Sequence, residues 1–267
     1  MLDAPQAELP AADGGRRIVL EIDGAMSYAS VWCNGQLVGG WPYGYASWQV
    51  DLTPYVKPGQ DNLLAIRLDN PRNSSRWYPG GGIYRNVWLL KTGPVHVPAQ
   101  GVRVTTPEVS KDKAVVKLAT EVRNDGSAEA NVIVRASVLN PKGKTIETRE
   151  SNLRLAGSET KSVEQLIEVR SPKLWSTEAP ELYSARIEIV AAGKTLDTTS
   201  THFGIRKIEV DAENGFRLNG QMLKLKGGCM HHDNGPLGSA TIDRAEERRV
   251  ELMKANGFNA IRTSHNP

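Results

Sequence analysis

Residues 223–267 read LKLKGGCMHHDNGPLGSATIDRAEERRVELMKANGFNAIRTSHNP, and the change of period along them decides the class of fold. Leu223 and Leu225 alternate with Lys224 and Lys226, as a short strand requires. A loop rich in His, Asp and Gly comes next. From 241 to 256, Ile242, Ala245, Arg249 with Val250, and Leu252-Met253 recur at spacings of three and four, which predicts a helix. Thr241 suits its N-cap with Asp243 in the first turn, and Gly257 suits the left-handed position after its end. Residues 258–262 read as the next strand. A strand, a helix and a strand within about 45 residues predict one right-handed, parallel βαβ unit. Residues just past the carboxyl ends of such strands face the site in α/β barrels and open sheets. Here they are His231-His232-Asp233 and Arg262-Thr263-Ser264-His265-Asn266. One βαβ unit cannot cover both faces of its sheet, so the chain is expected to stop partway through a domain.

Upstream, residues 16–205 read as β almost throughout. Ile18, Leu20 and Ile22 alternate with Val19, Glu21 and Asp23. Asn34-Gly35 between 31–33 and 36–38 predicts a tight hairpin. Leu64, Ile66 and Leu68 keep the same period, as does 82–90, and the set predicts a sandwich or jelly roll. Prolines around 93–98 mark a boundary. Strands at 114–123, 131–140, 144–150, 160–169 and 182–190, parted by turn residues, predict an immunoglobulin-like sandwich without a Cys…Trp…Cys framework.

The length of 267 residues suggests roughly two domains or three small ones. A net charge of +3 is too small for a nucleic-acid or anionic-membrane partner. No run approaches the ~18 apolar residues of a membrane helix, and residues 1–15 lack the basic start and apolar run of a leader. Cys33 and Cys229 fall in different domains, which excludes a disulfide scaffold and leaves the compartment open.

Residues 226–233 with 235–240 resemble the start of the catalytic barrel of family 2 glycoside hydrolases, in their β-galactosidase branch. Residues 252–254 and 257–267 look like the family's block on barrel strand two. Asp51-Leu52-Thr53 and 76–89 resemble its sugar-binding jelly roll. Leu174-Trp175, 180–183 and 203–206 look like the tail of its immunoglobulin-like domain. The resemblance implies a mainly β chain in three parts: an incomplete jelly roll over 1–93, the sandwich over 94–205, and the first βαβ unit of a TIM (β/α)8 barrel over 206–267. It implies a piece of a retaining β-galactosidase acting on terminal β-linked galactose, with both catalytic glutamates outside the chain. A relative acting on another β-glycoside, a glucuronide or mannoside, is the alternative, as is a non-catalytic carbohydrate-binding or scaffold protein. The partner expected is a β-galactoside or oligosaccharide, and neither nucleic acid nor membrane. Intact relatives are often homo-oligomers. No cofactor is required by the sequence, although the intact family enzymes allow Mg2+.

The retaining route needs two carboxyl groups about 5–5.5 Å apart. Among the acids of 206–267 only Asp233 is placed to face a substrate, so the chain is expected to be catalytically incomplete alone. By resemblance, His231 and His265 bind the sugar or stabilise its transition state, and Arg262 orients the nucleophile; Asp233, by its place at the strand end, either binds a sugar hydroxyl or orients His231. His232 reads as structural. A zinc site from His231, Asp233 and His265 is disfavoured, because no H-E-x-x-H spacing exists. Trp41, Tyr43, Tyr45, Trp48, Trp77 and Tyr78 are candidates for sugar stacking, Trp77 and Tyr78 being taken as the possible sugar contacts, but most such rings serve packing.

Overall fold

The computed structural model describes residues 16–73 and 80–263. They fall into two compact units, one from Met1–Lys91 together with Leu225–Pro267, the other Thr92–Lys224.

In the first unit, Trp48–Asp51, Arg17–Ile22 and Val87–Thr92 form one three-stranded sheet, and Gln36–Trp41, Ala29–Cys33 and Leu64–Arg67 another. Alternation buries Ile18, Leu20 and Ile22 with Val31, Cys33, Trp48 and Val50 in one core. The hairpin turn lies at Asn34-Gly35, both with positive φ (50° and 84°). Asn34 is also the anchor of the neighbouring loop. Its Nδ2 donates to the Tyr55 carbonyl and to Asn62 Oδ1, and its Oδ1 accepts from the Leu63 amide.

The same unit holds the strand–helix–strand. Its strands, Gly227–Met230 and Ala260–Thr263, pair in parallel, Gly227 beside Ala260 through Met230 beside Thr263. The first strand therefore starts four residues later than the Leu-Lys alternation suggests. Backbone approach decides this: a Cβ on Gly227 would sit 2.7 Å from the Ala260 carbonyl oxygen, so glycine is required where the strands meet. The Lys226 carbonyl accepts from the Asn259 and Ala260 amides, while Leu223 is tied back to Phe216. The helix is Asp243–Ala255, with Ile242 and not Thr241 at its N-cap and no side-chain cap. Thr241 is otherwise engaged, its amide donating to the Tyr84 carbonyl at 2.8 Å. Gly257 comes after the helix at φ 81°.

The second unit is a two-sheet sandwich of the immunoglobulin-like kind. Val102–Val109, Lys113–Asn124 and Thr160–Arg170 form one sheet, joined by Val95–His96. Thr145–Leu155, Ala130–Leu139, Tyr183–Ala191 and Lys194–Phe203 form the other. Val116, Leu118, Val134, Ile167, Ile187 and Ile189 are fully buried between them. Two long strands of the sandwich escape the sequence reading. Val102–Val109 contains Pro107, which sits where the register slips between Thr105 and Glu108. Lys194–Phe203 is rich in Thr and short of large apolar residues. A small sheet of Ile208–Asp211, Gly215–Leu218 and Gln221–Met222 groups with this unit. Asn219 fastens it there, its Nδ2 donating to the Trp175 carbonyl at 3.0 Å.

Candidate functional site

Strand alternation sorts the residues at the parallel pair onto two faces. A Cβ on Gly228 would lie 3.5 Å from Met253 Cε, so Gly228 faces the helix. Cys229 and Arg262, side by side in register, take the opposite face. Arg262 Nη1 lies 3.6 Å from Cys229 Sγ, and both residues are exposed. On the helix side, a cleft of about 950 Å³ is lined by Met230, His231, His232, Val250, Ile261 and Thr263 among others. Arg262 does not line it. The structure thus brings His231 and His232 together and leaves Arg262 on the other face of the strands.

The loop after Met230 is held from two directions. From the helix, Arg249 Nη2 donates to the His231 carbonyl at 2.5 Å. The same guanidinium pairs with Glu246 at 3.1 Å, and Glu246 also accepts from Asn234 Nδ2. Within the loop, the Asn234 amide donates to the Gly238 carbonyl at 2.7 Å. From the jelly roll, the Tyr45 ring meets His232 edge-on at 5.5 Å and the Tyr84 ring lies 6.4 Å from it. Tyr84 donates its hydroxyl to the Gly44 carbonyl at 2.9 Å, and burial pushes its pKa up, opposed by the Arg85 guanidinium over its ring. Asp233 is exposed beyond these contacts.

The glutamates of this segment are engaged on the helix. Arg244 holds Glu247 and Glu251, and its guanidinium keeps the Glu251 carboxyl below the usual range. Among the described residues no cluster of three or more His, Cys, Asp and Glu side chains could hold a metal ion, so no donor set for Mg2+ is found there. Cys33 and Cys229 are free thiols. Among the aromatic candidates, Tyr45 and Trp48 are buried packing residues, whereas Trp41 and Tyr43 are exposed. His265, Trp77 and Tyr78 lie outside the described residues. Arg249, Tyr84 and Arg85 were not singled out by sequence reasoning. A helical arginine at a regular spacing carries no mark of its role, and only the continuous motif around 76–89 points toward Tyr84 and Arg85.

Residues 95–206 match the family model of glycosyl hydrolases family 2. The chain is 44% identical over 258 residues to the β-galactosidase BoGH2A of Bacteroides ovatus, covering 96% of this chain and 30% of that protein. It is 32% identical over 271 residues to a β-glucuronidase of Bacteroides fragilis, covering 95% of this chain and 38% of the relative. Among solved structures it matches a glycosyl hydrolase family 2 member from Bacteroides cellulosilyticus with a TM-score of 0.93 at 42% identity, over 96% of this chain and 33% of that one. It matches Bacteroides uniformis β-glucuronidase with a TM-score of 0.87 at 32% identity, over 96% of this chain and 32% of the other. The chain therefore spans about a third of the length of these relatives.

Proposed function

We propose, for a chain that belongs to glycosyl hydrolases family 2, that it supplies the jelly roll, sandwich and first barrel strands of a retaining β-galactosidase. The observation that carries this reading is the His231-His232-Asp233 loop at the carboxyl end of a parallel strand, in a chain 44% identical to a protein named β-galactosidase. In this reading His231 and Asp233 hydrogen-bond hydroxyls of the terminal galactose, and bonds that tighten as the oxocarbenium ion forms lower the barrier. His265 serves the same sugar from the second strand. Arg262 holds the nucleophilic carboxylate from the strand face turned away from the helix, which in a barrel is the inner face, and keeps it ionised there. The two catalytic carboxyls come from sequence beyond this chain. Glu246, Glu247 and Glu251 are engaged by arginines, and Asp243 lies in the first turn of the helix. Asp233 is then the acid left at the strand end, and one carboxyl cannot be both acid and nucleophile. The chemistry needs no cofactor, and the substrate is a β-galactoside or an oligosaccharide ending in one.

The β-glucuronidases among the relatives favour a second reading, in which the terminal sugar is a glucuronide. Aryl β-galactoside and aryl β-glucuronide assays on the protein that carries this chain separate the two. Galactoside turnover with retained anomeric configuration, lost in His231→Ala, supports the first. The chain alone should turn over neither; turnover above background would refute its proposed incompleteness.

A further inference from the structure

Three exposed aromatic rings stand on the jelly-roll segment next to Tyr45, the ring that meets His232. Tyr28, Trp41 and Tyr43 are 53%, 45% and 48% exposed in this chain. They are neighbours through the backbone, since the Tyr28 amide donates to the Pro42 carbonyl at 3.1 Å. Tyr43 is joined to the candidate site by a short series of rings. It meets buried Tyr45 at 5.5 Å and 61°, and Tyr45 meets His232 at 5.5 Å and 70°. The segment that carries Tyr43 is rigid. The Gly44 carbonyl accepts from the Tyr84 hydroxyl, and the Tyr45 carbonyl accepts from Arg85 Nη1 at 3.0 Å. A Cβ on Gly44 would come within 2.6 Å of Met26 Sδ, so the chain there is packed to its limit.

We propose that Tyr43, with Trp41 and Tyr28 beside it, is the stacking platform for the sugar on the leaving-group side of the scissile bond. The inference rests on the reading of the His231–Asp233 loop as the galactose site. It adds the class of the leaving group: a β-linked oligosaccharide, not a small aglycone. The chemistry fits. A pyranose presents a face of C–H groups to an aromatic ring and keeps its hydroxyls at the edge, where water can meet them. In an exo-acting enzyme the terminal sugar lies inside the barrel mouth and the remaining sugars run outward over the rim. Tyr43 stands two ring-to-ring steps from His232, each of 5.5 Å, outside the loop that takes the terminal sugar in this reading. Because Tyr43 is pre-positioned, little freedom is lost when the sugar stacks on it.

The test compares two substrates in the protein that carries this chain: methyl β-galactoside, with no second sugar, and a galactose-terminated β-linked trisaccharide. Tyr43→Ala should lower the ratio of kcat/KM for the trisaccharide to that for the methyl glycoside by about fivefold, through KM, and Trp41→Ala by a similar factor. Tyr43→Phe should keep the ratio. A ratio unchanged in both alanine variants overturns the proposal, because rings needed only for folding depress both substrates together. If the unsubstituted protein cleaves neither substrate, the galactosidase reading fails by itself. The platform is then judged by quenching of tryptophan emission with the same trisaccharide. Weaker quenching titrations in Tyr43→Ala support the platform, and unchanged ones overturn it.

Discussion

Replacing Arg249 with Met should free the candidate site loop while leaving the helix in place. The Arg249 side chain is about one-fifth exposed (21%) and acts at two points, the His231 carbonyl and the Glu246 carboxylate. A hydrogen bond from a charged donor contributes roughly 1.5–3 kcal/mol net, and partial exposure argues for the lower end, about 1.5 kcal/mol. The i,i+3 ion pair adds about 0.3–0.5 kcal/mol. Methionine keeps most of the aliphatic packing of the stem, so the loss is close to the sum, about 2 kcal/mol of local stability. At 1.4 kcal/mol per factor of ten, the loop should open about 30-fold more often. Native-state hydrogen exchange reads this directly at the amides of Asn234, Leu237 and Gly238, which close the turn onto Gly238, Asn234 and Gly235. Arg249→Lys, with one charged donor in place of a fork, should recover part of the protection. Exchange accelerated less than about threefold at these amides would refute the clamp. So would equal acceleration along Asp243–Ala255, which would make Arg249 a helix-stability residue only.

Ile187 is fully buried between the two sheets of the sandwich, and Ile187→Ala should destabilise that unit by about 2–5 kcal/mol, seen as a lowered midpoint in urea at unchanged slope. Asp211 caps a turn by accepting from the Asn214 and Glu213 amides, contacts that hold its carboxyl below the usual range. Its stabilising effect is therefore complete above the unfolded value of about 3.9 and is lost as pH falls through the lower folded value, so a carboxyl-carbon NMR titration should give a midpoint under about 3.9 and Asp211→Asn should remove the acid sensitivity of the turn. A chain begun at Thr92 should keep the exchange protection of Leu118 and Ile187 but lose that of Asn234 and Gly238, because the contacts of His232 and Thr241 with Tyr45 and Tyr84 would be gone.

The parts of the fold legible in the sequence are those where one physical pattern acts alone. The Asn34-Gly35 hairpin, the strands around 114–123 and 131–140, and the parallel strand–helix–strand come from period and turn chemistry. Legibility fails where a second requirement overrides the pattern. Leu223 to Lys226 alternates like a strand, yet the strand is Gly227–Met230, because the two backbones approach too closely there for a side chain. Thr241 is a good capping residue, yet its amide goes to Tyr84 in the jelly roll and the helix starts without a side-chain cap. Pro107 hides the strand it sits in because the bulge that admits it breaks the alternation. For the site, the sequence marks the loop by its His-His-Asp run. It does not mark Arg249 or the ring contacts to His232, which depend on tertiary neighbours.

The misses at Thr241 and His232 share a cause, and it bears on how the site is built. A barrel's first loop is ordinarily positioned by its own neighbouring strands and helices. Here the same loop takes part of its position from outside the barrel segment: Tyr45 and Tyr84 against His232, the Tyr84 carbonyl on the Thr241 amide, and the Arg85 guanidinium on the Tyr45 carbonyl. Residues 41–45 and 84–85, far from 231–241 in sequence, therefore belong to one rigid neighbourhood within the first unit. A jelly roll fused this way is not independent of the strand–helix–strand packed in the same unit. Its aromatic segment and the strand end set each other's geometry, so a change in the 41–45 turn that alters the Tyr45 ring also moves His232. A substitution at Tyr43 can therefore reach His232 through only one intervening ring, without touching the strand-end loop itself.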